Sequence, residues 1–198
     1  MSTKSAISAW DSDMSSSNRH DEGRRRAILQ VGAVLGACLV GPLRAETFLS
    51  VEQAQALIFP GKTLKPLPVR LTAAEGKAIE RASKIRVRNL DLKTWRAADG
   101  AWFIVDQVIG KHEFIDIAVG LDGKGAVAGI EILTYRESYG EQVRNPRWRA
   151  QFHGKEHGDR LALDVQIKNI SGATLSCQHI TQGINRLTAT WAEALSKR

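Results

Sequence analysis

The sequence predicts an α+β fold in which helices flank an antiparallel sheet. Three strand-like segments follow one another between residues 101 and 135, two helix-capping sequences precede them, and an amphipathic pattern typical of a long helix closes the chain. Because short turns join the strand-like segments, neighbouring strands are expected to pair antiparallel, as a meander. Strands grouped together and helices grouped around them are typical of α+β domains.

The two N-terminal helices are predicted from capping boxes. Ser50-x-x-Gln53 opens a helix over about 51–59, which Pro60-Gly61 stops. Thr72-x-x-Glu75 opens a second helix that runs to about Ser83. The spacing of apolar residues in this second helix predicts an inward face, formed by Ala78, Ile79 and Ala82.

The strands are predicted from alternation of apolar and polar residues. Segments 101–109, 113–121 and 126–135 alternate in this way, with glycine-containing turns between them. Leu161–Ile167 alternates similarly and predicts one more half-buried strand. The last helix carries an apolar stripe, formed by Ile180, Ile184, Leu187, Trp191 and Leu195.

Residues 1–45 predict an export signal with a disordered prelude rich in Ser, Asp and Asn. Arg24–Arg26 precede an apolar run over 31–41, which is shorter than the roughly 20 residues of a membrane span. Arg25-Arg26 before Ile28-Leu29 resembles the twin-arginine signal; the alternatives are the general secretion route, lipoprotein processing at Cys38 and an uncleaved anchor. Each alternative places the domain in the periplasm or on the outer face of the inner membrane.

Composition limits the class of protein. The chain has 198 residues, 43% hydrophobic and 25% charged, which excludes a disordered chain, a collagen and a multi-span membrane protein. Two cysteines exclude a disulfide scaffold, and a net charge of +7 is a mild excess that does not call for nucleic acid. We divide the chain into the signal at 1–45, a helical N-terminal part at 46–90 and a domain at 91–198.

The segment Ser171-Gly172-Ala173-Thr174-Leu175-Ser176 stands just before the last helix. Gly172 and Ala173 leave the hydroxyl of Thr174 uncrowded, and the first N–H groups of the helix point beyond it. These donors and the helix dipole favour a phosphate group at this place. The alternative interpretation is that Thr174 only caps the helix.

Ser171-Gly172-Ala173-Thr174 before a C-terminal helix resembles the motif of the FMN-binding domain family, whose members include components of the sodium-pumping NADH:quinone reductase and of a related electron-transport complex. Tyr135–Gly140 resembles that family's Glu-Thr-Pro-Gly turn near the flavin, and Trp148-x-x-Gln-Phe152 extends the similarity. The resemblance covers roughly residues 95–195 and implies that 91–198 form an FMN-binding domain.

The resemblance implies covalent FMN, held by a phosphodiester to Thr174 that a separate flavin transferase installs from FAD. It also implies an electron-transfer protein with a membrane redox partner and no catalytic residues or substrate of its own. Lys168 stands where the family usually has Asp, a departure that concerns recognition by the transferase more than flavin fit. The expected cofactor-binding residues are Thr174, Ser171, Gly172, Ala173, Leu175 and Ser176 at the attachment turn, and Glu137, Tyr139, Gly140 and Trp148 around the ring.

Other chemistry-bearing residues leave alternatives open. His153 and His157 have the spacing of a metal face, but the glycines between and after them argue against a helix, and no metal site is predicted. His179 either helps to hold the phosphate or is a surface residue, and Cys177 is expected in the core. Trp148 is either a core residue or a stacking partner for the ring.

The arginines around Trp148 are expected to form a partner surface or a charged rim to the flavin cleft rather than a nucleic-acid patch; they are Arg144, Arg147 and Arg149, with Lys155 nearby. The rival function is a flavin-free exported binding module in which the Ser-Gly-Ala-Thr turn is only a helix cap.

Overall fold

The computed structural model describes residues 46–198, so the predicted export signal at 1–45 lies outside the described residues. The strands are β1 (Glu46–Thr47), β2 (Leu64–Pro66), β3 (Val69–Arg70), β4 (Asp91–Ala97), β5 (Trp102–Ile109), β6 (Phe114–Leu121) and β7 (Val127–Tyr135). The α-helices are α1 (Val51–Ile58), α2 (Ala73–Ser83), α3 (Pro146–Arg149) and α4 (Thr174–Glu193). Short 3₁₀ turns flank α3, at Glu141–Arg144 and Ala150–Phe152, and follow α4 at Leu195–Lys197.

The strands form one antiparallel sheet in the order β1-β7-β6-β5-β4-β2, with β3 also paired to β4. The central strands β5, β6 and β7 begin and end within one residue of the predicted segments. The predicted α+β class, an antiparallel sheet flanked by helices, is confirmed. Residues 46–90 supply α1 and α2 and also the short strands β1 to β3, which join the same sheet.

The sheet buries both of its faces. On one face, α1 contributes Ala54 and packs with Phe59 against a smaller core formed by Phe103, Ala118 and Leu133. On the other face, α2 and α4 cover the larger core, which contains Trp102, Ile104, Ile115, Ile117, Ile79, Ile180, Ile184 and Leu187. Each fully buried Ile or Leu contributes about 1.5–3 kcal/mol relative to exposure, so this face anchors α4 to the sheet.

The capping boxes are formed as predicted. Ser50 and Thr72 are the N-caps of α1 and α2, and each accepts a hydrogen bond from the backbone three residues on. The predicted inward face of α2 is wrong in part, because Ala82 is exposed and Ala78 only half-buried. Gly76 is buried in their place, since the helix meets its neighbours on the side of Gly76 and Ile79.

The predicted strand at Leu161–Ile167 is wrong. The segment is a turn closed by an isolated bridge between Leu163 and Ile167, and Asp164 has a left-handed backbone with φ of 59°. The backbone N–H groups of Gln166 and Ile167 both donate to the Ala162 carbonyl, so the chain folds back on itself. Val165 is consequently 75% exposed, although the alternation had predicted that it faces inward.

Within the described residues, no helix combines the length and apolar character needed to span a membrane. The final helix, α4, packs its buried stripe against the sheet and α2. Arg186 of this helix also forms an ion pair with Asp106 of β5 at 2.5 Å, which fixes the helix to the strand. The fold therefore positions the start of α4 beside the turns that connect β5 to β6 and follow β7.

Candidate functional site

A cleft of about 410 Å³ lies at the N-terminus of α4. Two segments far apart in the sequence meet there, 137–139 after β7 and 172–176 at the start of the helix, and the β5–β6 turn closes the third side. The lining residues are Lys111, His112, Glu137, Ser138, Tyr139, Gly172, Ala173, Thr174, Leu175 and Ser176. The two segments that the sequence singled out are thus adjacent.

Thr174 is the first residue of α4, and its side chain is exposed. The N-cap is Ala173, and no side chain of the described part caps this helix end. Thr174 therefore does not act as the cap, which the alternative interpretation of the motif required. The first N–H groups of α4 remain available to a ligand, and together with the helix dipole they favour an anion.

The hydroxyl of Thr174 is held by a neighbour that the sequence did not single out. Asn169 donates a hydrogen bond from Nδ2 to Thr174 Oγ1 at 3.1 Å. The other end of the amide is also fixed, because Asn169 Oδ1 accepts from the N–H of Ile170 at 2.8 Å. Asn169 therefore points a donor at the threonine oxygen and leaves the hydroxyl proton free to face the cleft.

Ser176 and Tyr135 connect the two motifs behind the cleft. The Tyr135 hydroxyl donates to the backbone carbonyl of Tyr139 at 2.5 Å and lies 2.9 Å from Ser176 Oγ. Since the phenol has a single proton, Ser176 is the donor in the second bond. Burial raises the pKa of Tyr135, and the carboxylates of Glu137 and Glu141 add to the rise. The phenol is therefore a neutral structural link.

Gly140 makes this link possible. Its φ is 96°, in the left-handed region, and a Cβ at this position would lie 2.5 Å from Tyr135 Oη. It is buried directly behind the cleft rather than lining it. Gly140 therefore supports the cleft indirectly, by leaving room for the Tyr135 hydroxyl. Tyr139, by contrast, is 86% exposed at the mouth of the cleft.

Glu137 braces the turn between β5 and β6. Its Oε1 accepts hydrogen bonds from the backbone N–H groups of His112 at 2.5 Å and Glu113 at 2.9 Å. Partial burial works to raise the pKa of Glu137, but the backbone hydrogen bonds from Glu113, His112 and Lys111 outweigh it and lower that pKa. Glu137 thus stays an anion that holds Lys111 and His112 at the cleft.

The cleft contains one ammonium group, that of Lys111, beside the carboxylate of Glu137. Lys111 and His112 line it from the β5–β6 turn, across from the N-terminus of α4. Sequence reasoning placed a turn at residues 110–111 but did not assign these two residues to the site. His179, by contrast, directs its Nδ1 to the carbonyl of Gly110 at 3.0 Å and is not among the lining residues.

Trp148 lies away from the cleft. It is 5% exposed, its indole N–H donates to the Lys168 carbonyl at 2.8 Å, and its ring meets Phe152 edge to face at 5.2 Å. Of the two alternatives for Trp148, the structure favours the core residue over the stacking partner. Ser171 is exposed one residue before the lining segment.

The remaining candidates also have clear places. Cys177 is fully buried in the larger core, and burial raises the pKa of its thiol, as expected for a packing residue. His153 and His157 are exposed in a loop. In the described part of the chain, no group of three or more His, Cys, Asp and Glu residues is arranged to hold a metal ion.

The geometry suits a ligand that bears a phosphate group. Residues 110–189 match the family model of the FMN-binding domain, a range that contains the β5–β6 turn, Tyr135–Gly140 and Thr174. This match over residues 110–189 indicates a flavin-binding protein. A comparison with curated proteins returns no match.

Proposed function

We propose that this chain is an exported electron-transfer flavoprotein that carries FMN on Thr174 through a phosphodiester bond. The observation that carries the proposal is the position of Thr174, exposed at the uncapped N-terminus of α4 and inside a cleft that the family match includes. When bound, FMN supplies reversible one- and two-electron redox chemistry, while the protein supplies position and electrostatics.

The residues present fit the attachment reaction. The Thr174 oxygen attacks the FMN phosphorus of FAD on a flavin transferase, so a Thr174 O–P bond forms, the bond between the two phosphates breaks and AMP leaves. The hydroxyl proton passes to a base of the transferase or to water as the O–P bond forms. Asn169 donates to the same oxygen and thereby stabilises the negative charge that develops on it. Thr174 is exposed, so a separate enzyme can reach its hydroxyl.

After attachment, the chain's own groups hold the phosphate. The N–H groups of the first turn of α4 and the ammonium of Lys111 would hold the anion, since both belong to the cleft that contains Thr174. Glu137 keeps the Lys111 turn in place through its backbone hydrogen bonds. Tyr139 at the mouth offers an aromatic face for the flavin ring, and its exposure suits contact with a redox partner.

Export supports a covalent bond. The Arg25-Arg26 pattern of residues 1–45 favours the periplasm or the outer face of the inner membrane. A protein outside the cytoplasm has no access to cytoplasmic FMN with which to replace a lost cofactor. A phosphodiester bond to the chain prevents the cofactor from dissociating. The proposed partners are the flavin transferase during maturation and a membrane redox protein in function; nucleic acid is not among them.

The test is the visible spectrum of the full chain co-expressed with a flavin transferase and a supply of FAD. We expect flavin absorption that stays with the polypeptide after denaturation and gel electrophoresis. Release of the flavin on denaturation would support FMN binding but would contradict the covalent bond. A colourless protein, with the transferase active on a second substrate protein, would favour the flavin-free binding module.

A further inference from the structure

A second cleft lies beside the middle of α4 and shares no residue with the flavin cleft. It has a volume of about 560 Å³ and is formed by the end of α2, the loop 157–161 and the middle of α4. Four of its lining residues are basic: Arg81, Lys84, His157 and Arg160. No Asp or Glu of residues 46–198 lines it, so every charged residue of its lining is basic.

The walls of this cleft are fixed by hydrogen bonds. Asn185 of α4 holds both backbone groups of Leu161, accepting from its N–H at 3.0 Å and donating to its carbonyl at 2.8 Å. On the other wall, Ser83 Oγ donates to the Ile79 carbonyl and accepts from the N–H of Ile85. The basic residues are therefore presented by a frame that is ordered before a ligand arrives.

Two of the cations lie on strained backbone. Lys84 has φ of 62° and Arg160 has φ of 49°, both in the left-handed region that glycine normally fills. Asp164 is the third non-glycine residue with positive φ in the described part, so two of three border this one cleft. Strained positions of this kind concentrate at ligand sites. A non-glycine residue is retained at such a position when its side chain is needed for binding, although glycine would adopt the backbone conformation at lower cost.

We propose that this basic cleft binds a phosphate group. The guanidinium groups of arginine and the ammonium of lysine donate hydrogen bonds to phosphate oxygens. The volume of the cleft lies within the roughly 300–1,000 Å³ that is typical of small-ligand sites. The positive surface continues through Lys77 of α2 and through Arg86, which follows that helix. Glu80, which also lies there, is engaged by the N–H of Val87 at 2.9 Å. The phosphate belongs either to a soluble phosphate compound or to the headgroup of an anionic phospholipid.

The experiment titrates the full chain with inorganic pyrophosphate by calorimetry and, separately, measures its sedimentation with vesicles of phosphatidylglycerol and phosphatidylcholine. The test variant is Arg81→Gln with Lys84→Gln, and the matched control is Lys65→Gln with Lys124→Gln, which removes the same charge from exposed positions elsewhere. We expect the test variant to weaken binding at least about tenfold and the control less than about twofold.

The two sources of phosphate give different results. Pyrophosphate binding without vesicle binding indicates a soluble compound, and vesicle binding that pyrophosphate displaces indicates a lipid headgroup. The proposal is overturned if neither probe binds, or if both variants lose binding equally, since net charge alone would then explain it. It is also overturned if the test variant lowers the stability of the protein without weakening phosphate binding. Arg81 and Lys84 would then have the structural role of stabilising the C-terminus of α2.

Discussion

Ser176 Oγ and Tyr135 Oη lie 2.9 Å apart, and this hydrogen bond joins two segments separated by 41 residues in the sequence. Ser176 belongs to the first turn of α4, while Tyr135 ends β7. The same phenol donates to the Tyr139 carbonyl, so the two motifs that resemble the FMN-binding family are bound to each other through one side chain. The cleft around Thr174 depends on that connection.

Removing the phenol should destabilise the domain. Tyr135→Phe leaves the part-buried Tyr139 carbonyl without its donor and the buried hydroxyl of Ser176 without its acceptor. We expect the free energy of unfolding in urea to fall by about 1–3 kcal/mol. Tyr139→Ala is the control, because that side chain is 86% exposed and its carbonyl is retained, and it should change stability by less than about 0.5 kcal/mol. Equal effects of the two changes would contradict the role of the phenol.

Gly140 should tolerate no side chain. Gly140→Ala places a Cβ 2.5 Å from Tyr135 Oη and also strains the left-handed backbone, so it should cost clearly more than Gly154→Ala. Gly154 has φ of 74° with nothing within 4 Å of a Cβ, so its substitution carries the backbone cost alone, about 1–2 kcal/mol. Urea unfolding of both variants measures the difference. Similar losses would show that Tyr135 can move away without cost.

Glu137 should make stability depend on pH. Its pKa in the folded state is lowered by backbone hydrogen bonds, so its contribution is present above the unfolded pKa, about 4.3, and is lost as the pH falls through the lower folded value. Glu137→Gln should therefore be less stable than the unmodified protein at about pH 7, and the difference should shrink below about pH 4. Glu156→Gln, an exposed glutamate in another loop, controls for charge. If the stability difference between the unmodified protein and Glu137→Gln grew on acidification, the predicted lowering of the Glu137 pKa in the folded state would be contradicted.

Asn169 should set the rate of flavin attachment. Asn169→Ala removes the donor to Thr174 Oγ1, and the loss of one hydrogen bond of about 0.5–1.5 kcal/mol predicts attachment about 2- to 10-fold slower. The measurement is the growth of in-gel flavin fluorescence with a purified transferase and FAD. Gln178→Ala, exposed one turn further along α4, is the control. An unchanged rate in Asn169→Ala would show that the transferase alone activates the hydroxyl.

Local signals predicted most of the fold. The capping boxes of α1 and α2, the alternation of β5 to β7 and the stripe of α4 each act over a few residues, so the sequence alone located them. Leu161–Ile167 misled the same reasoning, because alternation does not reveal that Asp164 turns the chain back. The site shows the same limit. Lys111 became recognisable only after β6 and α4 had brought distant segments together. Asn169 became recognisable only once the turn before α4 had placed its amide against Thr174, five residues further on.

The central claim is covalent FMN on Thr174, and the intact mass of the protein co-expressed with a flavin transferase tests it most directly. The unmodified chain should gain the mass of one FMN less one water, and peptide mapping should place the gain on the peptide that contains Thr174. Thr174→Ala should stay folded and gain nothing, while Thr174→Ser keeps an attacking oxygen and should retain part of the label. The same gain in Thr174→Ala, or no gain in the unmodified chain beside a transferase active on another substrate protein, would contradict the claim.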